Sequence, residues 1–170
     1  EMKIKGASKV ISELRAKKKG IDKQIDDIIQ ANAIEMAGDA TKRAPEAFGK
    51  LKQSIDYSRV VFLKWKATVN KEYAGYMEFG TGTKIQVPAE FSDMAKSFQS
   101  GGKGNFKQAL ENIKLWCKKK GIDEKAAYPI LLSILRVGVN PQPFFYPAWV
   151  ATKKRYVKDL ENLLKTLNKK

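Results

Sequence analysis

Seven apolar residues between Ser54 and Lys71 lie at odd-numbered positions, and this feature restricts the possible folds of the chain more than any other. Successive side chains of a β-strand point to opposite faces of the sheet, so a period of two predicts strand. Because the run is 18 residues long, we divide it into two strands, about 53–62 and 65–71, hinged near Leu63–Trp65. The alternating residues are Ile55, Tyr57, Val61, Leu63, Trp65, Ala67 and Val69.

A third, shorter strand is predicted after the glycine-bearing stretch that follows. Ile85 and Val87 alternate with polar residues, and Pro88 ends the run because proline lacks the N–H group that a strand ladder needs. The sheet and its tyrosine- and glycine-rich turn are therefore expected to occupy 53–88.

Helical periodicity, with apolar residues three or four positions apart, lies on both sides of the predicted sheet. A short amphipathic helix is predicted over 7–19 and a long one over 22–43, which ends before Pro45. A helical hairpin is predicted over 106–137. Pro129 lies within its second helix, so a kink or a restart is expected there.

The C-terminal part contains three prolines within seven residues, Pro141, Pro143 and Pro147. This spacing predicts an extended segment, followed by a final amphipathic helix over 147–168 with Pro147 in its first turn. A polar, glycine-bearing stretch at 97–105 is expected to be a flexible loop. These elements predict one α+β domain over 1–170. Long amphipathic N- and C-terminal helices pack on a small antiparallel sheet, with an inserted helical hairpin.

The six letters KKKGID occur twice, at 17–22 and at 118–123. The flanking residues do not match, so we interpret the two copies as the same local signal and not as a repeat. Lysines favour a helix C-terminus, glycine takes the left-handed position after it, isoleucine folds back onto the helix and aspartate caps the next helix.

The sequence contains no histidine, which excludes sites that need a histidine base or nucleophile partner and nearly all zinc catalytic sites. The single Cys117 cannot form an internal disulfide, which favours a reducing compartment. No apolar run has the ~18 residues of a membrane span, and the N-terminus lacks the apolar core of a signal peptide. We expect a soluble protein made in the cytoplasm, without a membrane partner.

The chain is strongly basic, with 33 Lys and Arg against 18 Asp and Glu and a formal charge of +15. Such an excess favours a polyanionic neighbour, either nucleic acid or an acidic protein surface. Lysine supplies most of the charge, so any contact with DNA is expected at the phosphate backbone, without sequence preference. A merely solubilising surface explains the composition equally well.

The stretch YAGYMEFGTGTK, Tyr73–Lys84, has the glycines of a phosphate-binding loop, but it fits neither GxxxxGK[ST] nor GxGxxG. A metal-dependent nuclease is a further alternative, with Glu72, Glu78 and Lys84 as its candidate residues. A structural interpretation, in which the stretch shapes the fold and binds no ligand, explains more of its residues. A short helical turn would place Tyr73, Tyr76 and Met77 on one face. Glu78 would then form an ion pair or accept hydrogen bonds from the backbone of Gly80–Thr83.

In their order along the chain, these segments resemble the tail-component family of long-tailed bacteriophages, typified by the head-to-tail joining protein of phage Hong Kong 97. In that family the first long helix ends in an alanine-proline pair, which Ala44 and Pro45 match here. A leucine and a serine-isoleucine pair follow, and they are matched by Leu51, Ser54 and Ile55. Its tyrosine-alanine and glutamate-aromatic-glycine-threonine signature falls on Tyr73, Ala74, Glu78, Phe79, Gly80 and Thr81. Its proline-phenylalanine and proline-alanine motif falls on Pro143, Phe144, Pro147 and Ala148.

The resemblance covers about residues 20–160, and we take the structural and assembly motif to include Tyr76 and Phe145 as well. It implies a non-enzymatic virion protein of the neck or tail, without catalytic residues, metal or cofactor. Such a protein would form a homo-oligomeric ring, with a hexamer as our hypothesis, between the head connector or head-completion protein and the tail terminator or tail tube. The proline-aromatic segment is expected to expose apolar surface for these contacts. Lysines lining the channel would contact packaged DNA weakly.

Overall fold

The computed structural model describes residues 6–17, 20–46, 49–84, 86–92 and 105–168. Most of these residues are helical and two strands form an antiparallel sheet, which confirms the predicted α+β class. The helices are α1 (Ala7–Lys17), α2 (Asp22–Arg43), α3 (Ala74–Phe79), α4 (Phe106–Lys120), α5 (Ala127–Val137) and α6 (Phe145–Asn168). The strands are β1 (Ile55–Val61) and β2 (Lys64–Val69).

Most helix boundaries follow the local sequence signals. Helix α2 has the predicted bounds, and Ala44 after it is extended, as expected for a residue before proline. Before α5, a 3₁₀ turn at Glu124–Ala126 gives way to the α-helix at Ala127, so Pro129 lies in the first turn, where its missing N–H disrupts no helical hydrogen bond. The predicted restart near Pro129 is thus confirmed.

The β-hairpin is close to its prediction, with a turn at Phe62–Leu63. Arg59 pairs with Trp65 and Val61 with Lys64, and a β-bulge separates these two pairs. Leu63 has φ of +64°, a left-handed conformation that costs a non-glycine residue roughly 1–2 kcal/mol. Its N–H group donates to the Asp26 carboxylate at 2.8 Å, and its side chain packs against the buried core. These tertiary contacts stabilise the turn, although the sequence has no glycine or asparagine at its left-handed position.

The chain divides into two compact units. Unit 1 comprises Glu1–Ala44, Gly49–Asn70 and Phe144–Lys170. In it, α2 packs against both strands of the hairpin and against α6, while α1 packs against α6. Burial raises the pKa of the Tyr156 hydroxyl above its ordinary value. The buried cluster consists of Ala7, Leu14, Ile21, Ile25, Tyr156 and Leu160.

Unit 2 comprises Pro45–Phe48 and Lys71–Pro143. Helices α4 and α5 pack against each other, as predicted for the helical hairpin. Asn105 caps α4, because its side-chain oxygen accepts a hydrogen bond from the N–H of Lys107 at 2.9 Å. The rest of the flexible loop predicted at 97–105 lies outside the described residues. The prediction of a single domain over 1–170 stays a prediction.

Three local expectations are wrong. The third strand is absent from the described residues 86–88, and the N–H of Gln86 instead donates to the carbonyl of Phe79 at 2.9 Å; Ile85 lies outside the described residues. Asp22 is the first residue of α2 and makes no capping hydrogen bond. Helix α6 begins at Phe145, two residues before Pro147, so the extended segment is shorter than predicted.

Candidate functional site

The stretch Tyr73–Lys84 forms a short helix followed by a glycine-bearing turn, as the structural interpretation predicts. Tyr73 precedes α3, which ends at Phe79, and a 3₁₀ turn follows at Gly82–Lys84. The ring of Phe79 lies against that of Phe91, with centroids 6.2 Å apart. Tyr73 is exposed, whereas Ala74 and Tyr76 are half-buried. The signature residues thus lie on one continuous segment of unit 2.

This turn is joined to the segment that follows α5 by hydrogen bonds in both directions. The N–H of Thr81 donates to the carbonyl of Val139 at 3.1 Å, and the N–H of Val139 donates to the Thr81 hydroxyl at 2.9 Å. The Thr83 hydroxyl donates to the carbonyl of Val137 at 2.9 Å. We call residues 80–83 and 137–139 the glycine clasp. Sequence reasoning singled out the first half of the clasp and missed its pairing with the second.

Three glycines allow the two halves of the clasp to approach this closely. Gly80, Gly82 and Gly138 all have left-handed φ, of +76°, +61° and +97°. A Cβ atom on Gly80 would lie 2.8 Å from the carbonyl oxygen of Val139, and one on Gly138 would overlap the carbonyl oxygen of Thr81. The clasp therefore needs glycine for space as well as for conformation. The backbone here meets backbone and leaves no cradle for a phosphate.

Glu78 is buried, with 6% of its surface exposed. The backbone N–H groups of Gly80 and Thr81, which we expected to donate to its carboxylate, donate to the carbonyls of Tyr76 and Val139. The predicted hydrogen bonds from the turn to Glu78 stay a prediction. Glu72, the second carboxylate of the nuclease hypothesis, is exposed. Within the described ranges, no group of three acidic or cysteine side chains lies close enough to hold a metal ion.

The proline-aromatic segment is less exposed than expected. Phe144 is buried, with 1% of its surface exposed, and its ring meets that of Phe145 edge to face at 6.3 Å. Pro147 is half-buried in the first turn of α6, and Pro143 alone of these four residues is exposed. The expectation that this segment presents its aromatic rings to a partner is therefore wrong for Phe144, which serves the core of unit 1.

Sequence reasoning also missed Asp26, a buried carboxylate on α2 that holds the β-hairpin. It accepts hydrogen bonds from the Arg59 guanidinium at 2.9 Å, the N–H of Leu63 at 2.8 Å and the indole N–H of Trp65 at 3.3 Å. Three donors compensate the loss of water around a buried charge. Asp26 lies among apolar residues of α2, and that is the only sequence signal that could have identified it.

A second polar network joins α2 to α6. The Asn32 side chain donates to the Asp159 carboxylate at 2.9 Å and accepts from the Arg155 guanidinium at 3.2 Å. Arg155 also forms an ion pair with Glu35 at 2.6 Å. These partners are more than 100 positions apart in the sequence, for example 127 for Asn32 and Asp159, so no local pattern could have paired them.

A cleft of about 590 Å³ lies in unit 1 between α2, the hairpin and α6. This volume is within the usual range for binding sites, about 300–1,000 Å³. Most of its lining is apolar, with aromatic side chains from the hairpin and from α6. The lining residues are Ile29, Asn32, Ala33, Met36, Val60, Leu63, Lys64, Trp65, Lys66, Ala67, Phe145, Trp149, Thr152 and Tyr156. We call this surface the α2–hairpin cleft.

Among the described residues, large apolar side chains are exposed at several places, two of which each contain three of them. At the end of the hairpin, Val60, Val61 and Phe62 are all about half exposed, and the Arg59 guanidinium lies 5.3 Å from the centre of the Phe62 ring. On α5, Leu135 is the most exposed large apolar side chain described, at 63%. With it we define the α5 stripe, which consists of Tyr128, Leu132 and Leu135.

A comparison of the chain with protein-family models, curated proteins and solved structures finds no match. Among the described helices, none is both long and apolar enough to cross a membrane. Any assignment of function must therefore rest on the residues themselves, on the resemblance that they carry and on the geometry of the two units.

Proposed function

We propose that this chain is a non-enzymatic structural protein of a phage neck, which assembles as a homo-oligomeric ring and joins the head connector to the tail. Its location would be the virion, after assembly in the host cytoplasm. Its partners would be copies of itself, the connector or head-completion proteins and the tail terminator or tail tube.

The glycine clasp is the observation that carries this proposal. The glutamate-aromatic-glycine-threonine signature contributes Gly80 and Thr81 to the clasp, where they meet Gly138 and Val139. The clasp has no room for a side chain at Gly80, Gly82 or Gly138, and its two halves are joined by hydrogen bonds from the backbone and the threonine hydroxyls. Residues used in this way shape a scaffold, which supports an architectural role over the transformation of a substrate.

The exposed apolar side chains give the proposal a second line of support. Scattered apolar residues are normal on a protein surface, but clusters of them commonly mark contacts with other proteins. Val60, Val61 and Phe62 form one cluster, and the α5 stripe forms another. A ring subunit needs at least two separate contact surfaces, because each copy meets a neighbour on either side.

The mass of the purified assembly tests this proposal directly. Native mass spectrometry over a range of protein concentrations should give one closed multiple of the 19.1 kDa chain. Negative-stain images of the same sample should show rings with cyclic symmetry. A chain that remains a monomer at every concentration contradicts the proposal, as does a symmetric dimer that grows no further.

A second candidate, a non-specific DNA-binding protein, is favoured by the formal charge of +15. Lysine-rich surfaces bind phosphates with an affinity that falls steeply as salt rises, because binding releases counterions. Fluorescence anisotropy with a short duplex, measured from 50 to 200 mM salt, separates the two candidates. Tight, salt-dependent binding by the monomer favours this second function, whereas indifference to DNA leaves the structural role.

A further inference from the structure

The sheet of unit 1 has two strands among the described residues, so each strand has an outer edge that the other does not cover. The N–H of Asn70 donates to the carbonyl of Ser54 at 2.9 Å, which fixes the hydrogen-bonded pairs of the antiparallel register. Such pairs alternate along the ladder with pairs that share no hydrogen bond. Every second residue of β2 therefore turns its N–H and carbonyl groups away from β1. We call these groups the β2 edge, and they belong to Trp65, Ala67 and Val69.

The outer edge of β1 is partly closed by one of its own side chains. In the same register the N–H of Tyr57 points away from β2, and it donates to the Asp56 carboxylate at 2.7 Å. Among the described residues, no hydrogen bond engages the β2 edge. An open strand edge is a template for pairing with another strand. The sheet can therefore grow at β2.

The β2 edge opens into the α2–hairpin cleft. Four consecutive residues of β2, Lys64–Ala67, line this cleft, so the backbone of the strand forms one wall together with its side chains. Helix α2 packs against both β2 and α6, and it contributes Ala33 and Met36 to the lining. Helix α6 contributes Phe145 and Trp149 on the opposite side. Because α6 forms this second wall, the cleft admits a single extended segment beside β2.

The two faces of β2 determine which residues such a segment would carry. The indole N–H of Trp65 donates to Asp26 of α2 at 3.3 Å, so the face of β2 that carries Trp65 is directed towards α2 and its apolar neighbours. The charged residues of the cleft, Lys64 and Lys66, lie on the other face, and Lys66 is exposed. Opposite charges on adjacent strands stabilise a sheet, and like charges destabilise it. The lysines therefore discourage two β2 edges from pairing with each other and favour an acidic strand.

We propose that the β2 edge binds an extended acidic segment of a partner protein, which adds to the sheet as a further strand within the α2–hairpin cleft. Apolar residues of the segment face α2, and acidic residues alternate with them and lie beside Lys66. In this mode of recognition, main-chain hydrogen bonds supply the affinity and alternate side chains supply the specificity. The inference goes beyond the ring proposed above and does not depend on it, because one copy of the chain carries the whole site.

A synthetic peptide of about eight residues that alternates valine and glutamate tests the site on the full chain. Its fluorescence anisotropy should show saturable binding of one peptide per chain, and the emission of Trp65 and Trp149 in the lining should change. Two comparison peptides should bind at least about tenfold more weakly, one with the same residues in separate blocks and one that alternates valine and lysine. Absence of saturable binding overturns the inference. Equal binding of the block peptide also overturns it, since attraction to the formal charge of +15 would then suffice.

Methylation of peptide nitrogens tests the main-chain hydrogen bonds directly. One alternating peptide carries methyl groups on its valine nitrogens and a second carries them on its glutamate nitrogens, so the two peptides have opposite edges blocked. Only one edge of the added strand can face β2. One methylated peptide should therefore bind at least about tenfold more weakly than the other. Equal affinities of the two overturn the inference.

Lys66→Glu tests the charge beside the β2 edge and leaves the backbone groups in place. It should weaken binding of the valine–glutamate peptide about tenfold and strengthen binding of the valine–lysine peptide. The matched control is Lys23→Glu, which makes the same change of net charge at an exposed residue of α2 outside the cleft lining, and its affinity should equal that of the wild type. Equal losses in the two variants overturn the inference. Peptide binding by a chain that forms no rings contradicts only the ring proposal.

Discussion

The two KKKGID segments have identical letters and a left-handed glycine each, but the residues after that glycine have different surroundings. Gly20 and Gly121 both follow a helix and both have left-handed φ, of +86° and +68°. Ile21 is buried, with 2% of its surface exposed, whereas Ile122 is 38% exposed. The same isoleucine, one residue after the same glycine, is part of the core of unit 1 in one copy and lies at the surface in the other.

The two aspartates differ in the same way. Asp123 precedes the 3₁₀ turn at Glu124–Ala126 and accepts a hydrogen bond from the N–H of Lys125 at 2.9 Å, which is the predicted cap. Asp22 accepts one from the Arg15 guanidinium at 2.7 Å instead and caps nothing. A residue type thus favours a local role, and its neighbours in space decide whether it takes that role.

The second copy ends its helix by purely local hydrogen bonds. The N–H of Ile122 donates to the carbonyl of Cys117 at 2.9 Å, and that of Gly121 to the carbonyl of Lys118 at 3.3 Å, which is a Schellman motif. At the first copy, Ile21 joins Leu14 and Ile25 in a buried cluster with residues of α6. The hydrogen bonds that end the helix before Gly121 are therefore local, whereas the burial of Ile21 depends on the core of unit 1.

The largest expected effect concerns the space around a left-handed glycine. Nothing lies within 4 Å of a Cβ built on Gly20 or Gly121, so Gly20→Ala and Gly121→Ala should each lower the free energy of unfolding by about 1 kcal/mol. At Gly138 a Cβ overlaps the carbonyl oxygen of Thr81, so Gly138→Ala should lower it by more than about 3 kcal/mol. Urea unfolding followed by circular dichroism measures all three. Equal losses at Gly121 and Gly138 would mean that the glycine clasp can relax.

The isoleucines should show the next largest difference. Ile21→Ala leaves a cavity in the buried cluster and should lower the free energy of unfolding by about 3 kcal/mol. Ile122→Ala removes a partly exposed side chain, and the loss should stay below about 1 kcal/mol. The two variants change the same atoms in the same hexapeptide. Urea midpoints that shift equally would contradict the different burial of the two side chains.

The aspartates should show the smallest difference. Asp123→Ala removes a helix cap and should lower the free energy of unfolding by about 1 kcal/mol. Asp22→Ala removes an ion pair whose two side chains are 43% and 51% exposed, and the expected loss is about 0.3 kcal/mol. Thermal unfolding at low and high salt checks the assignment, because salt should reduce the Asp22 effect by a larger fraction than that of the cap hydrogen bond. A loss at Asp123 that disappears entirely at high salt would argue against the cap.

The fold could be predicted from the sequence where local signals agree. Pro45 set the end of α2, the restart near Pro129 was foreseen, and the period of two located the hairpin. The third strand failed because two alternating residues, Ile85 and Val87, are too few to specify a strand. The described part of that segment is tied back to Phe79 by the N–H of Gln86.

The candidate sites could be predicted only in part. Gly80, Thr81 and their neighbours were identified as a structural segment. No sequence pattern paired them with Val139, which is 58 positions from Thr81. Asp26 was missed, since acidic residues on an amphipathic helix usually face solvent. The exposure of the α5 stripe was unforeseen because periodicity identifies apolar faces without saying which of them are covered.

By itself, the sequence determined the end of α2 and the position of the hairpin, because each depends on residues close together in the chain, and its lack of histidine excluded histidine chemistry. Tertiary structure alone decided that Ile21 is buried and Ile122 exposed, that Asp26 receives three donors and that Leu63 adopts a left-handed turn. These outcomes depend on contacts between distant segments. The free energy of such a contact is set by the surroundings that folding creates, and a local window of sequence does not contain them.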